Sequence, residues 1–63
     1  EKAIEFYSLY IRQHKAKGKN SNLALSYTYL GNAFQEQGEQ TKALECFFES
    51  LDIFKSVYGF IIN

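Results

Sequence analysis

An all-α fold of three antiparallel helices is what this 63-residue sequence predicts, and three observations carry it. Proline, the strongest helix breaker, is absent, so nothing forbids long helices. The glycines stand at positions 18, 31, 38 and 59, and those at 18, 38 and 59 divide the chain into two turns and a close. Between these breaks the apolar residues recur at steps of three and four, the spacing of one helix face.

In the first segment Ile4, Tyr7 and Ile11 share one face, while Phe6, Leu9 and Tyr10 wrap around it. A helix apolar over that much of its circumference is usually packed between two neighbours. Gly18 suits its end, because glycine alone adopts the left-handed conformation at no steric cost. The middle helix opens at Asn20, Ser21 and Asn22, whose side-chain oxygens can accept from the free backbone donors of its first turn. Leu23, Tyr27, Leu30 and Phe34 then fall on one face, and Gly38 ends the helix. The third helix begins near Glu39 to Thr41, with the Glu39 charge favourable against its dipole. Leu44, Phe47, Leu51, Phe54 and Tyr58 share a face of it.

Composition narrows the function classes. Apolar residues make up 46% and aromatics 17% of the chain, so eleven aromatic rings must be housed by a domain of this size. A domain near 60 residues buries only about 60% of its unfolded surface, which favours stacking on neighbouring units. One cysteine cannot make an internal disulfide, and no apolar run approaches the roughly 20 residues of a membrane span. The expectation is an intracellular, reducing, cytoplasmic setting without a membrane partner. The chain opens at Glu1 without a signal peptide and reads as a piece of a longer one.

Comparing the sequence with itself at an offset of 40 aligns Lys2, Ala3, Ile4, Glu5 and Tyr7 with Lys42, Ala43, Leu44, Glu45 and Phe47. Ile11 meets Leu51 and Lys15 meets Lys55. The first and third helices therefore look like copies. Self-similarity at a period of 20 to 50 residues marks helical arrays, whose units bury their apolar faces by stacking.

Residues 24–57 resemble a tetratricopeptide repeat (TPR), whose pattern is an aromatic, Leu-Gly, a second aromatic, a turn, then alanine with an aromatic four later. These are Tyr27, Leu30-Gly31, Phe34, Gly38, Ala43 and Phe47, continued by Ser50 and Leu51. The usual proline near the end of the second helix is replaced by Lys55, and Tyr10 stands where Ser50 does in the other copy. With copies 40 apart, the pattern is similar to the longer repeats of kinesin light chains and spindle-orientation adaptors, which share the Leu30-Gly31-Asn32 triplet. The resemblance implies a TPR-like α-solenoid fragment. Residues 1–19 would be the second helix of a preceding repeat, 20–58 one complete repeat, and 59–63 a tail or the start of a linker. A glycine inside a helix costs about 1 kcal/mol relative to alanine, so Gly31 needs a reason. Close approach of two helices supplies one, with Gly31 and Ala43 as the small pair at the crossing and Tyr27, Leu30, Phe34 and Phe47 around it.

The resemblance also implies a non-enzymatic module that binds a peptide or partner protein in a groove lined by first helices. Carried over by position, the groove residues are Leu25, Thr28, Tyr29, Asn32, Gln35 and Glu36. Their spacing independently forms a helical stripe roughly opposite Tyr27, Leu30 and Phe34. Asn32 offers both a donor and an acceptor, which suits a peptide backbone. The other reading of the same chain is a structural module that self-associates through Phe6, Leu9, Phe48 and the Phe60-Ile61-Ile62 tail.

Other chemistry is thin. The one histidine, His14, and the one cysteine, Cys46, lie on different helices, and no third group is placed to orient either, so catalysis is not expected. His14 reads as a helix-end residue interacting with the last carbonyls, and Cys46 as a small packing residue. Glu45, Glu49 and Asp52 share a helix face but lack the histidine or second carboxylate helix of a metal site, so no metal or cofactor is expected. Charge is uneven: residues 1–19 carry five bases and two acids, and residues 20–63 carry two bases and five acids. The basic cluster Arg12, Lys15, Lys17 and Lys19 has a phosphate-binding reading. Cations also favour a helix C-terminus, and the overall balance is not that of a nucleic-acid domain.

Overall fold

The computed structural model describes the backbone of residues 2–62 and the side chains of residues 2–59. The fold is all-α, and no strand occurs among the described residues. Three helices follow one another: α1 over Lys2–His14, α2 over Ser21–Glu36 and α3 over Gln40–Ile62.

The breaks lie where the glycines stand, for identifiable reasons. After α1 a single 3₁₀ turn spans Lys15–Lys17, and Gly18 (φ 105°) donates its N–H to the Lys15 carbonyl at 3.3 Å. Its ψ of 174° is extended rather than left-handed helical, so Gly18 redirects the chain after the tighter turn instead of capping α1 itself. Asn20 then caps α2, its Oδ1 accepting from the Leu23 N–H at 2.9 Å. At the other end Gly38 (φ 82°) donates to the Gln35 carbonyl at 3.0 Å and the Glu39 N–H reaches back to the Phe34 carbonyl at 2.9 Å. That pair of bonds is a Schellman closure, which satisfies carbonyls the helix end would leave free. Glu39 accepts the Ala43 N–H at 3.0 Å and so opens α3. The third helix does not close at Gly59: it bends at Tyr58 (φ −112°, ψ 18°) and continues to Ile62.

α2 lies between the other two helices and packs against both, whereas α1 and α3 build no comparable interface with each other. The Cα atoms span 36 × 22 × 12 Å, so the three rods form a sheet-like layer rather than a closed bundle. The core joins Ile11 of α1, Leu23, Ala24, Tyr27 and Leu30 of α2, and Cys46 and Ile53 of α3. Ile4, Tyr7, Phe34, Phe54 and Val57 pack at its edge.

On α1 and α2 the faces agree with the periodicity. On α3 they do not. Ala43, Cys46, Ser50 and Ile53 are the buried positions, while Leu44, Leu51 and Tyr58 of the expected stripe point to solvent. The physical reason is close packing: α2 meets α3 across Ala43, Cys46 and Ser50 together with Ile53 and the Phe47 ring, and Leu44, Leu51 and Tyr58 are left on the far side. Gly31 shows how close the approach is. A Cβ there would lie 2.6 Å from Phe47 Cε1 and 2.9 Å from Cδ1, so the Phe47 ring occupies the space of the missing side chain. Ala43 is buried, as expected of it, but the group seated on Gly31 is the Phe47 ring.

Candidate functional site

The six stripe residues of α2 sort by what surrounds them. Leu25 is 41% and Tyr29 48% exposed, and Asn32, Gln35 and Glu36 are also open to solvent. Thr28 differs. It is half-buried and turned toward α3, where its hydroxyl donates to the Ala24 carbonyl at 3.1 Å and lies 2.6 Å from Ser50 Oγ. Either hydroxyl can donate in the Thr28–Ser50 pair. The exposed ridge of α2 thus runs through Leu25, Tyr29, Asn32 and Glu36, with Thr28 serving as a tie to α3.

Each side of the ridge drops into a furrow. Between α1 and α2, Phe6, Tyr7 and Tyr10 face Asn22, Leu25, Ser26 and Tyr29 around a cavity of about 220 Å³. The Tyr7 and Tyr29 rings meet at 5.5 Å, and Phe6 stands edge-on to Tyr7 at 5.3 Å. Between α2 and α3, Gln35 joins Gln40, Ala43, Leu44 and Phe47 around about 230 Å³. The ridge therefore presents one aromatic flank and one flank with two amides, and Glu36 is its single charge. Phe6, Tyr7, Tyr10 and Asn22 were not among the expected site residues. The signal for them was present in the offset of 40, where bulky Tyr10 occupies the place of Ser50. A large ring there cannot give the tight contact that Ser50 allows, and an open furrow is the result.

The other candidates are placed as follows. His14 Nδ1 lies 2.9 Å from the Tyr10 carbonyl oxygen, the distance of a bond donated by the Nδ1–H tautomer, and its ring stacks on Tyr10 at 4.1 Å. Cys46 is buried, and loss of solvent, with smaller contributions from Glu45 and Glu49, pushes its thiol above the ordinary value. A protonated thiol is a poor nucleophile. Lys19 pairs with Asp52 at 3.1 Å across the surface, joining the loop before α2 to the acidic face of α3. Both groups are more than half exposed, where such pairs contribute about 0–1 kcal/mol. Among the described residues no three His, Cys, Asp or Glu side chains are arranged to hold a metal ion, and no helix is long and apolar enough to cross a membrane.

Set beside known proteins, the chain matches no protein-family model, no curated protein and no solved structure.

Proposed function

We propose that the chain is a slice of a TPR-like α-solenoid and works as a non-enzymatic protein-interaction module, taking a peptide along the exposed ridge of α2. The observation that carries this reading is the seating of Phe47 on Gly31. It gives the Leu-Gly signature its physical purpose, and it holds α2 so that Leu25, Tyr29, Asn32, Gln35 and Glu36 all face solvent together. Exposed apolar groups beside amides suit a peptide, which needs both apolar contact and partners for its backbone. The setting that goes with this reading is the reducing cytoplasm.

A peptide-display selection against the folded chain supplies the test. Asn32→Ala with Gln35→Ala should lower affinity for a selected peptide about tenfold or more, each tenfold being about 1.4 kcal/mol. Unchanged affinity with an intact helical spectrum rejects the groove.

A second reading is favoured by the exposed rings of Phe6 and Phe48 and by Leu9: a structural role through self-association. The Phe60-Ile61-Ile62 part of that expectation lies outside the described side chains. Sedimentation distinguishes the two, since this reading predicts a mass that grows with concentration and a monomer at millimolar concentration removes it.

A further inference from the structure

We propose that the cavity between the end of α1 and the first half of α3, floored by Tyr27 and Cys46, is a binding site for a small zwitterion, a molecule whose ammonium and carboxylate groups are held apart. The inference does not depend on the peptide reading, because the cavity lies on the Tyr27 side of α2, roughly opposite the exposed ridge. It measures about 460 Å³ and is lined by Lys15, Tyr27, Glu45, Cys46 and Glu49. That volume lies within the roughly 300–1,000 Å³ of small-molecule sites.

The floor holds two polar side chains that the fold leaves without a partner. Tyr27 and Cys46 are each 8% exposed, so both are more than nine-tenths buried. Among the described residues none bonds the Tyr27 hydroxyl or the Cys46 thiol. Every side-chain oxygen shut off from solvent among these residues has a hydrogen-bond partner. The unbonded Tyr27 hydroxyl therefore still meets solvent, and the cavity that Tyr27 lines is where it does so. Holding a hydroxyl in so buried a place without a protein partner is unfavourable, and a ligand able to bond it removes that penalty.

The walls select the occupant, because they carry opposite charge and do not meet. Lys15 stands in the turn that follows α1, while Glu45 and Glu49, one helical turn apart, stand on α3. One turn further along α3 the gap is bridged directly, where Asp52 takes Lys19 at 3.1 Å. Among the described residues no such pair joins Lys15 to Glu45 or Glu49, and all three are exposed, so their charges oppose one another across the cavity. A ligand with one charge would satisfy one wall and be repelled by the other. A zwitterion places its carboxylate at Lys15, its ammonium at Glu45 and Glu49, and its middle over the Tyr27 hydroxyl. A metal ion is the poorer occupant, since the two carboxylates and the thiol are not arranged to share one.

The probe is 6-aminohexanoate, titrated into the ¹⁵N-labelled chain while amide shifts are followed by NMR, with hexylamine and hexanoate as its single-charge counterparts. The expected result is saturable shifts centred on Lys15, Tyr27, Cys46 and Glu49, with an affinity about tenfold or more above that of either counterpart. Lys15→Gln, and separately Glu45→Gln with Glu49→Gln, should each lower affinity for the zwitterion about tenfold at unchanged helical signal, because all three side chains are exposed. After Lys15→Gln the zwitterion should bind no better than hexylamine, and after the double substitution no better than hexanoate. Should one of these variants lose helix content, the other reads the same cavity. Equal affinity for the three molecules overturns the proposal, as do shifts centred on the furrow between α1 and α2. It also fails if the charge variants leave the affinity unmoved, or if the zwitterion gives no saturable shift.

Discussion

A methyl group at position 31 has nowhere to go while Phe47 keeps its place, since it would sit 2.6 Å from the ring. Two effects oppose each other in Gly31→Ala. Helix propensity favours alanine by about 1 kcal/mol, and overpacking costs about 1–3 kcal/mol. The overpacking term wins, so we predict a net loss of about 1 kcal/mol in chemical denaturation. Phe47→Leu should absorb the methyl group, making the double variant more stable than the sum of the singles. Additive effects would mean that the two residues do not touch. Cys46 makes a prediction of a different kind. Its folded pKa is raised above the ordinary 9.0, so the folded chain holds the thiol proton more tightly than the unfolded chain does. That contribution is fully present below pH 9.0 and is lost as pH rises through the folded value. Stability measured from about pH 8 to pH 10.5 should therefore fall more steeply in the parent than in Cys46→Ala. Parallel curves would show that the thiol is not desolvated.

Among the elements, α2 is the one most legible in the sequence. Asn20 caps it, Gly38 closes it, and Leu23, Tyr27 and Leu30 are buried where the periodicity puts them. Asn20→Ala should remove the bond to the Leu23 N–H and cost about 1 kcal/mol, read as a lower denaturation midpoint at unchanged slope. A midpoint equal to that of the parent would mean the cap is not formed. The third helix was legible in its start but not in its end, which passes Gly59 to reach Ile62, nor in its orientation. Its pattern places Leu44, Phe47, Leu51 and Phe54 on one side, and size alone suggests that this side is the buried one. Burial follows the fit to α2 instead, and Gly31 admits a face of Ala43, Cys46 and Ser50 with only the Phe47 ring pressed between. The same limit applies to the ridge. Spacing identified Leu25, Tyr29, Asn32, Gln35 and Glu36 as outward, but Thr28 lies at the α3 edge of that stripe, and its tie to Ser50 depends on a pairing 22 residues away. Helical periodicity has no access to such a partner. The Tyr10 furrow likewise arises from a contact between helices that neither helix's own pattern contains.

At the scale of the whole molecule, a layer 12 Å thick gives each outer helix a single neighbour. That geometry explains why so small a chain carries eleven aromatic residues and still exposes Phe6 and Phe48. α1 and α3 each have one side on α2, and their remaining large side chains face away from it. The ion pair of Lys19, in the loop before α2, with Asp52 of α3 is solvated and adds little, so the arrangement rests on packing around α2. The central claim is that α3 lies on α2 by its small-residue side with Phe47 on Gly31, leaving Leu44 and Leu51 outward. Proton NMR tests it most directly. The account predicts strong cross-relaxation between the Gly31 α-protons and the Phe47 ring, α-protons shifted by the ring current, and no contact from Leu44 or Leu51 to the protons of Leu23 or Leu30. Gly31 α-protons with ordinary helical shifts and no Phe47 contact, or Leu51 methyls close to Leu30, would contradict it.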